Sequence, residues 1–279
     1  MLLKRVWNRI RYKYVWKIFL CHRKFDQKSS WVLNAPNNKF YADPFLFRMK
    51  GENHLFFECK KIGKGKGVIA YAKINSDNTI GCTDTVLEEG FHLSYPYVFE
   101  DRNQVYMIPE TSEDQTIRLY KSNNFPKEWE CVKVLMKNVK AFDSSLIFYQ
   151  DKYWLFTVID DGRSSNPNTN LYLFYSDELE SENWLSHPMN PVVSDSRLAR
   201  CAGIIVVWDE ILVRIAQNCD SVYGKEIQIL KIDELNTRNY TEKLIRTISP
   251  NTESMIGMHT LNSNEEYCVY DARVRQKRF

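Results

Sequence analysis

One unit recurs five times along this chain, and that recurrence restricts the fold more than any other feature. An apolar run, a polar turn and a second apolar run appear in DPFLFRMKGENHLFFE (43–58), YPYVFEDRNQVYMIPE (95–110), DSSLIFYQDKYWLFTV (143–158), AGIIVVWDEILVRIAQ (202–217) and GMHTLNSNEEYCVYDA (257–272). The units start 52, 48, 59 and 55 residues apart. Short apolar and aromatic runs around a polar turn read as β-hairpins. Repetition about every 40 to 50 residues, with several strands per unit, reads as the blades of a propeller. GVIAYAKI, TIRLYKS, NLYLFYS and EIQILKI lie between the hairpins and supply third strands, with TDTVLEE and ECVKVLM as fourth strands. The expected fold is all-β, a five-bladed β-propeller over residues 31–279. A β-sandwich with accidental self-similarity is the alternative.

Residues 1–30 differ from the rest. The stretch MLLKRVWNRIRYKYVWKIFLCHRKF (1–25) holds eight Lys and Arg and no acid, so with a net charge of +3 overall the remainder carries about −5. Leu3, Val6, Trp7, Ile10, Tyr14 and Ile18 follow helical spacing, with Arg5, Arg9, Lys13 and Lys17 between them. Charges recur too often for a transmembrane span, and Lys17 splits the apolar run that a signal peptide needs. A basic amphipathic helix lying on an anionic membrane surface is the expectation. A helix packed on the propeller, or a strand closing its ring, is the alternative. Seven cysteines, an odd number without Cys-x-x-Cys spacing, argue for a reducing compartment, with neither a zinc site nor a disulfide framework. The expected location is cytoplasmic, peripheral at the inner membrane.

The repeat frame sorts the polar residues. A hairpin brings the start of its first strand and the end of its second to one edge. Asp43 and Glu58 should therefore meet at one rim, where two carboxylates are costly to desolvate unless paired or used. Asp43, Tyr95, Asp143, Ala202 and Gly257 take equivalent opening places, and Glu58, Glu110, Val158, Gln217 and Ala272 the closing ones. Arg200 precedes the fourth unit, His259 lies two residues into the fifth, and Asp271 comes just before its closing place. The rim thus gathers Asp43, Glu58, Glu110, Asp143, Arg200 and His259. Paired carboxylates suit glycosyl chemistry, and an arginine suits a phosphate or carboxylate. Each has a plainer role available: Asp43 as a turn cap, Asp143 as the ion partner of Arg200, His259 as a core histidine. KKIGKGKG (60–67) has the look of a phosphate-cradling loop, but lacks the Ser or Thr and the helix that such a loop needs.

FYADPFLF, LFFE, KGVIAYAKI, HLSYPYVFE, VYMIPETS, YWLF, HPMNPVV, ARCAG and GMHTLN together resemble the N-terminal domain of glucosamine inositolphosphorylceramide transferase and its bacterial relatives, over roughly residues 31–272. That domain is similar to the five-bladed propellers of family 43 glycoside hydrolases. The resemblance implies an inner-strand Asp as base, matched by Asp43, a second Asp that orients and tunes, and a Glu as acid, matched by Glu110. The second Asp comes only in the third unit, at Asp143, because the second unit opens with Tyr95. The plant relatives carry a further transferase domain beyond the propeller, and the bacterial relatives are associated with making surface glycans. The function expected is glycosyl transfer in cell-surface polysaccharide or glycolipid assembly, from an activated sugar donor to a glycan or lipid-linked acceptor. Asp43, Glu110 and Asp143 would be catalytic. Glu58, Tyr95, Arg200 and His259 would bind substrate, Arg200 and His259 at the leaving phosphate. No metal, cofactor or nucleic acid is expected. A family 43 type hydrolase and a non-catalytic glycan-binding propeller are the other readings.

Overall fold

The computed structural model describes residues 12–23, 25–63 and 65–277. Their strands form five antiparallel sheets, one per expected blade. Blade 1 runs outward from Lys39–Met49 through Glu52–Lys61 and Val68–Ile74 to Asp84–Leu87. Blade 2 runs from Ser94–Asp101 through Gln104–Glu110 and Thr116–Asn124 to Glu128–Lys137. Blade 3 runs from Ala141–Tyr149 through Lys152–Ile159 and Asn170–Ser176 to Leu185–Ser186, and blade 4 from Val206–Trp208 through Ile211–Gln217 and Ile227–Leu235 to Tyr240–Ile248. Aromatic side chains fill the seams between blades. Phe45 of blade 1 meets Tyr95 and Tyr97 of blade 2 edge-on at 4.8 and 5.7 Å.

Blade 5 is built from both ends of the chain. Met255–Gly257 and Leu261–Ser263 pair with Tyr267–Lys277, which pairs with Tyr12–His22, which pairs in turn with Trp31–Leu33. The register runs unbroken from Tyr12 opposite Lys277 to His22 opposite Tyr267. The helix expected over residues 1–25 is thus replaced by strand from Tyr12 onward; its first eleven residues lie outside the described ones. The physical reason is two-sided burial. Ile18 and Leu20 enter one apolar cluster with Leu33, Tyr41 and Val269, while Phe19 and Cys21 enter another with Ile215, Met258 and Tyr270. A strand buried on both faces shows no alternation, and its partner is some 250 positions away.

The inner strands of blades 1 to 3 share a defect that the site depends on. Pairing passes from Ala42–Glu58 to Phe45–Phe56, from Ser94–Glu110 to Tyr97–Ile108, and from Phe142–Val158 to Ser145–Phe156. Each time two residues face one, which is a β-bulge. The bulged residues are Asp43, Tyr95 and Asp143, with φ of 51°, 46° and 46°. The equivalence expected for these three openings therefore holds down to the backbone. It does not extend to Ala202, which precedes the blade 4 inner strand and donates its N–H to the Ile215 carbonyl, or to Gly257, which pairs opposite Arg273.

Removing residues 1–25 takes away one whole strand of blade 5. The truncated protein is expected to lose its cooperative thermal transition. Leu20→Ala, at a fully buried position, should cost about 2–5 kcal/mol in urea denaturation. A truncated protein that melts like the full chain would show that the ring closes without that strand.

Candidate functional site

At the rim where the inner strands begin, five carboxyl groups and two cations are buried together: Asp43, Glu58, Glu110, Asp143 and Asp271 with Arg200 and His259. All six residues expected at the rim are in this cluster. The bulges of blades 1 and 3 turn Asp43 and Asp143 inward. Glu58 and Glu110 sit opposite the residue before the bulge in their own blades.

Arg200 organises one half. Its Nε and Nη2 donate to the two oxygens of Asp143 at 2.6 and 3.2 Å. Nη2 also reaches Glu110 at 3.1 Å, and Nη1 donates to the side-chain oxygen of Asn168 at 2.8 Å. The guanidinium lies over the rings of Phe142 and Tyr223, 4.8 and 5.1 Å from their centroids. Gln217 donates a further bond to Asp143 at 3.0 Å. The backbone before Arg200 is pinned by a second arginine. Arg214, fully buried and held by Glu242 at 2.6 and 2.8 Å, donates to the carbonyls of Leu198 and Ala199.

Asp271 organises the other half, from the second strand of blade 5. It accepts four hydrogen bonds: from the backbone N–H of Asp43 (2.9 Å), His259 (3.2 Å) and Thr260 (3.0 Å), and from His259 Nδ1 (2.6 Å). The imidazole Nε2 then faces Asp43 Oδ1 at 3.4 Å. Asp43 accepts from Thr260 Oγ1 at 2.8 Å and from the Tyr95 N–H at 3.2 Å. Trp16, from the N-terminal strand, stacks on His259 with centroids 3.9 Å apart, and Tyr223 meets His259 edge-on at 5.3 Å. Gly224 makes that approach feasible: its φ is +60°, and a Cβ there would lie 2.7 Å from the Cβ of His259. Asp43, His259 and Asp271 are the three side chains, among the described residues, whose donor atoms lie close enough to share a metal ion. Their oxygens and Nδ1 are, however, already satisfied by one another and by the backbone, so a cation would have to displace those bonds.

Burial and crowding sort the acids. Glu110 is pushed up to about 8 by burial and by the Asp143 charge, against the pull of Arg200. Asp43 rises to about 6, chiefly by burial, with His259 opposing. Glu58 is held well above the usual carboxylate range by burial and then by Asp43. Its imidazole neighbour His92, 3.5 Å away, brings it no charge, because burial lowers His92 to about 4 and its Nδ1 accepts the Gly67 N–H at 2.7 Å. Burial works against a charged His259, but Asp271 and Asp43 outweigh it and raise the imidazole to about 9. At neutral pH the site therefore holds protonated Glu58 and Glu110, ionised Asp43 and two cations.

Tyr95, expected to bind substrate, is fully buried. Its hydroxyl bonds to Ser145 at 2.9 Å and the Gly203 carbonyl at 3.1 Å, so it ties blades 2, 3 and 4 together while its N–H serves Asp43. Asp271, Thr260, Trp16, Tyr223, Asn168 and Arg214 were not singled out as site residues from the sequence. Only Asp271 carried a signal, as an acid inside the apolar run CVYDA.

The sequence from residue 27 to 269 matches the family described as glucosamine inositolphosphorylceramide transferase 1, N-terminal. The chain belongs to this family. It is 35% identical over 210 residues to glucosamine inositolphosphorylceramide transferase 1 of Oryza sativa subsp. japonica, covering 74% of this chain and 28% of the rice protein. The protein of the same name from Arabidopsis thaliana is also 35% identical over 210 residues, covering 74% of this chain and 27% of its own length. The chain thus spans about a quarter of these relatives. In fold it is similar to the catalytic domain of a Coprinopsis cinerea GH62 α-L-arabinofuranosidase, with a TM-score of 0.63 at 11% identity over 95% of this chain and 98% of that one. A family 117 glycoside hydrolase of Zobellia galactanivorans gives 0.60 at 11% identity, over 95% and 91% of the two chains. At such identities the likeness is one of fold.

Arg200→Met should destabilise the protein by about 3–5 kcal/mol, because it leaves Asp143 buried without its counter-charge. Glu110→Gln should do the opposite. The folded state keeps a proton on Glu110 up to about 8, while the unfolded chain releases it near the ordinary value of about 4.3. Stability is then full below that value and falls as pH rises towards 8. The amide removes this slope and should gain on the order of 1–3 kcal/mol at pH 7. Urea denaturation of both variants at pH 5 and pH 7.5 reads the two signs.

Proposed function

We propose that this family member transfers a sugar from an activated donor to a hydroxyl of a glycan or lipid-linked acceptor, and that the axial cluster is where the transfer occurs. The observation that carries the reading is the convergence of Asp43, Glu110 and Asp143 from three blades on one rim, with one arginine and one histidine between them. The transferase names of the plant relatives support it. Asp43 is the base that takes the proton of the acceptor hydroxyl as the glycosidic bond forms. Its oxygens are aimed by Thr260 and by the Tyr95 N–H, and His259 favours the ionised form. Glu110 is the neutral acid facing the departing group. Asp143 keeps that acid protonated and holds Arg200 in place. Glu58 supports Asp43 from the adjacent strand without transferring a proton. Trp16 and Tyr223 offer the aromatic faces on which a sugar ring packs. The setting proposed is the cytoplasmic side of the inner membrane.

Hydrolysis is the second reading, because the same carboxyl pair serves with water as the acceptor. The two readings part on product: transfer yields a longer acceptor, hydrolysis a free sugar. A propeller that only binds glycans would yield neither.

Asp43→Asn keeps the size of the side chain and tolerates the left-handed backbone. It should melt within a few degrees of the wild type yet lose about 10²–10⁴-fold in turnover. Turnover should rise with pH as Asp43 ionises near 6 and fall as Glu110 ionises near 8. The alkaline limb should vanish in Glu110→Gln. An Asp43→Asn protein with full turnover would remove Asp43 from the chemistry.

A further inference from the structure

Both cations of the axial site are already neutralised. Arg200 lies between Asp143 and Glu110, and His259 between Asp271 and Asp43. A leaving group that carries phosphate would enter a site richer in acids than in bases, so its charge has to be met elsewhere. Beside the site is a cleft suited to this. Pairing between Tyr12–His22 and Trp31–Leu33 ends at Ile18 opposite Leu33. The chain then swings away towards blade 1 and opens a cavity of about 270 Å³. Lys13, Lys17 and Lys39 line it, with Asn34 and Asn37, and among the described residues no acid does. Several lysines elsewhere meet a carboxylate, among them Lys73, Lys133 and Lys152 at 2.6, 2.8 and 2.5 Å. Trp16 joins the two places, since it lines the cleft and stacks on His259.

We propose that this cleft, at the seam of blades 5 and 1, binds the phosphate or diphosphate group of the substrate, with Lys13, Lys17 and Lys39 supplying the charge and Asn34 and Asn37 the neutral donors. The inference rests on the transferase reading and adds a place for the activated end of the donor, so that the sugar reaches the axial carboxyls across Trp16. Phosphate borne by a soluble donor and phosphate borne by a lipid present the same chemistry to the cleft. A cluster of lysines holds either as point charges, and salt weakens the attraction.

The test compares three full-length proteins: wild type, the triple variant Lys13→Gln/Lys17→Gln/Lys39→Gln, and a charge-matched control, Lys73→Gln/Lys133→Gln/Lys152→Gln. Inorganic pyrophosphate binding is followed by calorimetry at low salt, and binding to phosphatidylglycerol vesicles by co-sedimentation. Pyrophosphate binding weakened at least about tenfold in the cleft variant, and unchanged in the control, assigns the cleft to a soluble phosphate. Vesicle binding lost only in the cleft variant, with no pyrophosphate binding by the wild type, assigns it to a lipid phosphate. Equal losses in the two triples, or no binding of either probe by the wild type, would overturn the proposal. Lys39→Gln alone provides the same comparison should the triple fail to fold. The readout is separate from catalysis. Intact pyrophosphate binding without any turnover would sink the transferase reading and leave the cleft standing, whereas full turnover in the cleft variant would do the reverse.

Discussion

At Asp43, Tyr95 and Asp143 the backbone passes through the left-handed region, at a cost of roughly 1–2 kcal/mol for each side chain other than glycine. The site depends on that strain. Without the bulge, the side chain at each place would follow the simple alternation of a strand and point into a blade seam. With it, Asp43 and Asp143 turn to the axis, and the N–H of Tyr95 is freed to donate to Asp43. The residues that follow, Pro44, Pro96 and Ser144, suit the unpaired half of the bulge, two of them because proline has no N–H to satisfy. The surrounding ring holds the strain in place: Tyr95 is fully buried and bonded across to blades 3 and 4.

The bulges bring acids together faster than the blades supply cations, and this imbalance sets the chemistry. Five carboxyl groups share Arg200 and His259. Asp143 and Asp271 take the best bonds to those cations, and Glu110, Asp43 and Glu58 are left with burial working against their charge. Environment alone thus divides side chains of one type into neutral acids and an ionised base. The arrangement holds because each cation is itself fixed. Arg214 anchors the carbonyls just before Arg200, while Asp271 gathers His259, Thr260 and the N–H of Asp43 on one carboxylate. Burying acids in this way makes the fold least stable where more of them must ionise, on the alkaline side.

The five hairpins were legible because each carries its own pattern: apolar runs, a polar turn, a fixed spacing. The places of Asp43, Tyr95 and Asp143 followed from that frame, as did those of Glu58 and Glu110. The frame slipped in blades 4 and 5, where Ala202 and Gly257 took the opening places on paper and Arg200 and His259 reach the axis in the molecule. There the inner strands are interrupted, three residues at Val206–Trp208 and a pair of short pieces around His259, and a counting rule cannot follow a broken strand. Tyr12–His22 was misread for a different reason. Its stretch Ile18–Cys21 is buried on both faces and so shows no strand alternation, and the partner that makes it a strand lies some 250 positions away. Trp16 and Tyr223 join the site only through that closure and through the loop that Gly224 allows, and neither is marked in the local sequence.

Everything proposed for the axial cluster turns on Glu110 being protonated at neutral pH while Asp43 is ionised. Infrared difference spectroscopy of the carboxyl stretch, comparing the wild type with Glu110→Gln across a pH series in heavy water, measures this directly. A protonated-carboxyl band should be present at pH 7, be missing from Glu110→Gln, and fade as pH passes about 8. A Glu110 band already gone by about pH 5, the ordinary range for a glutamate, would contradict it.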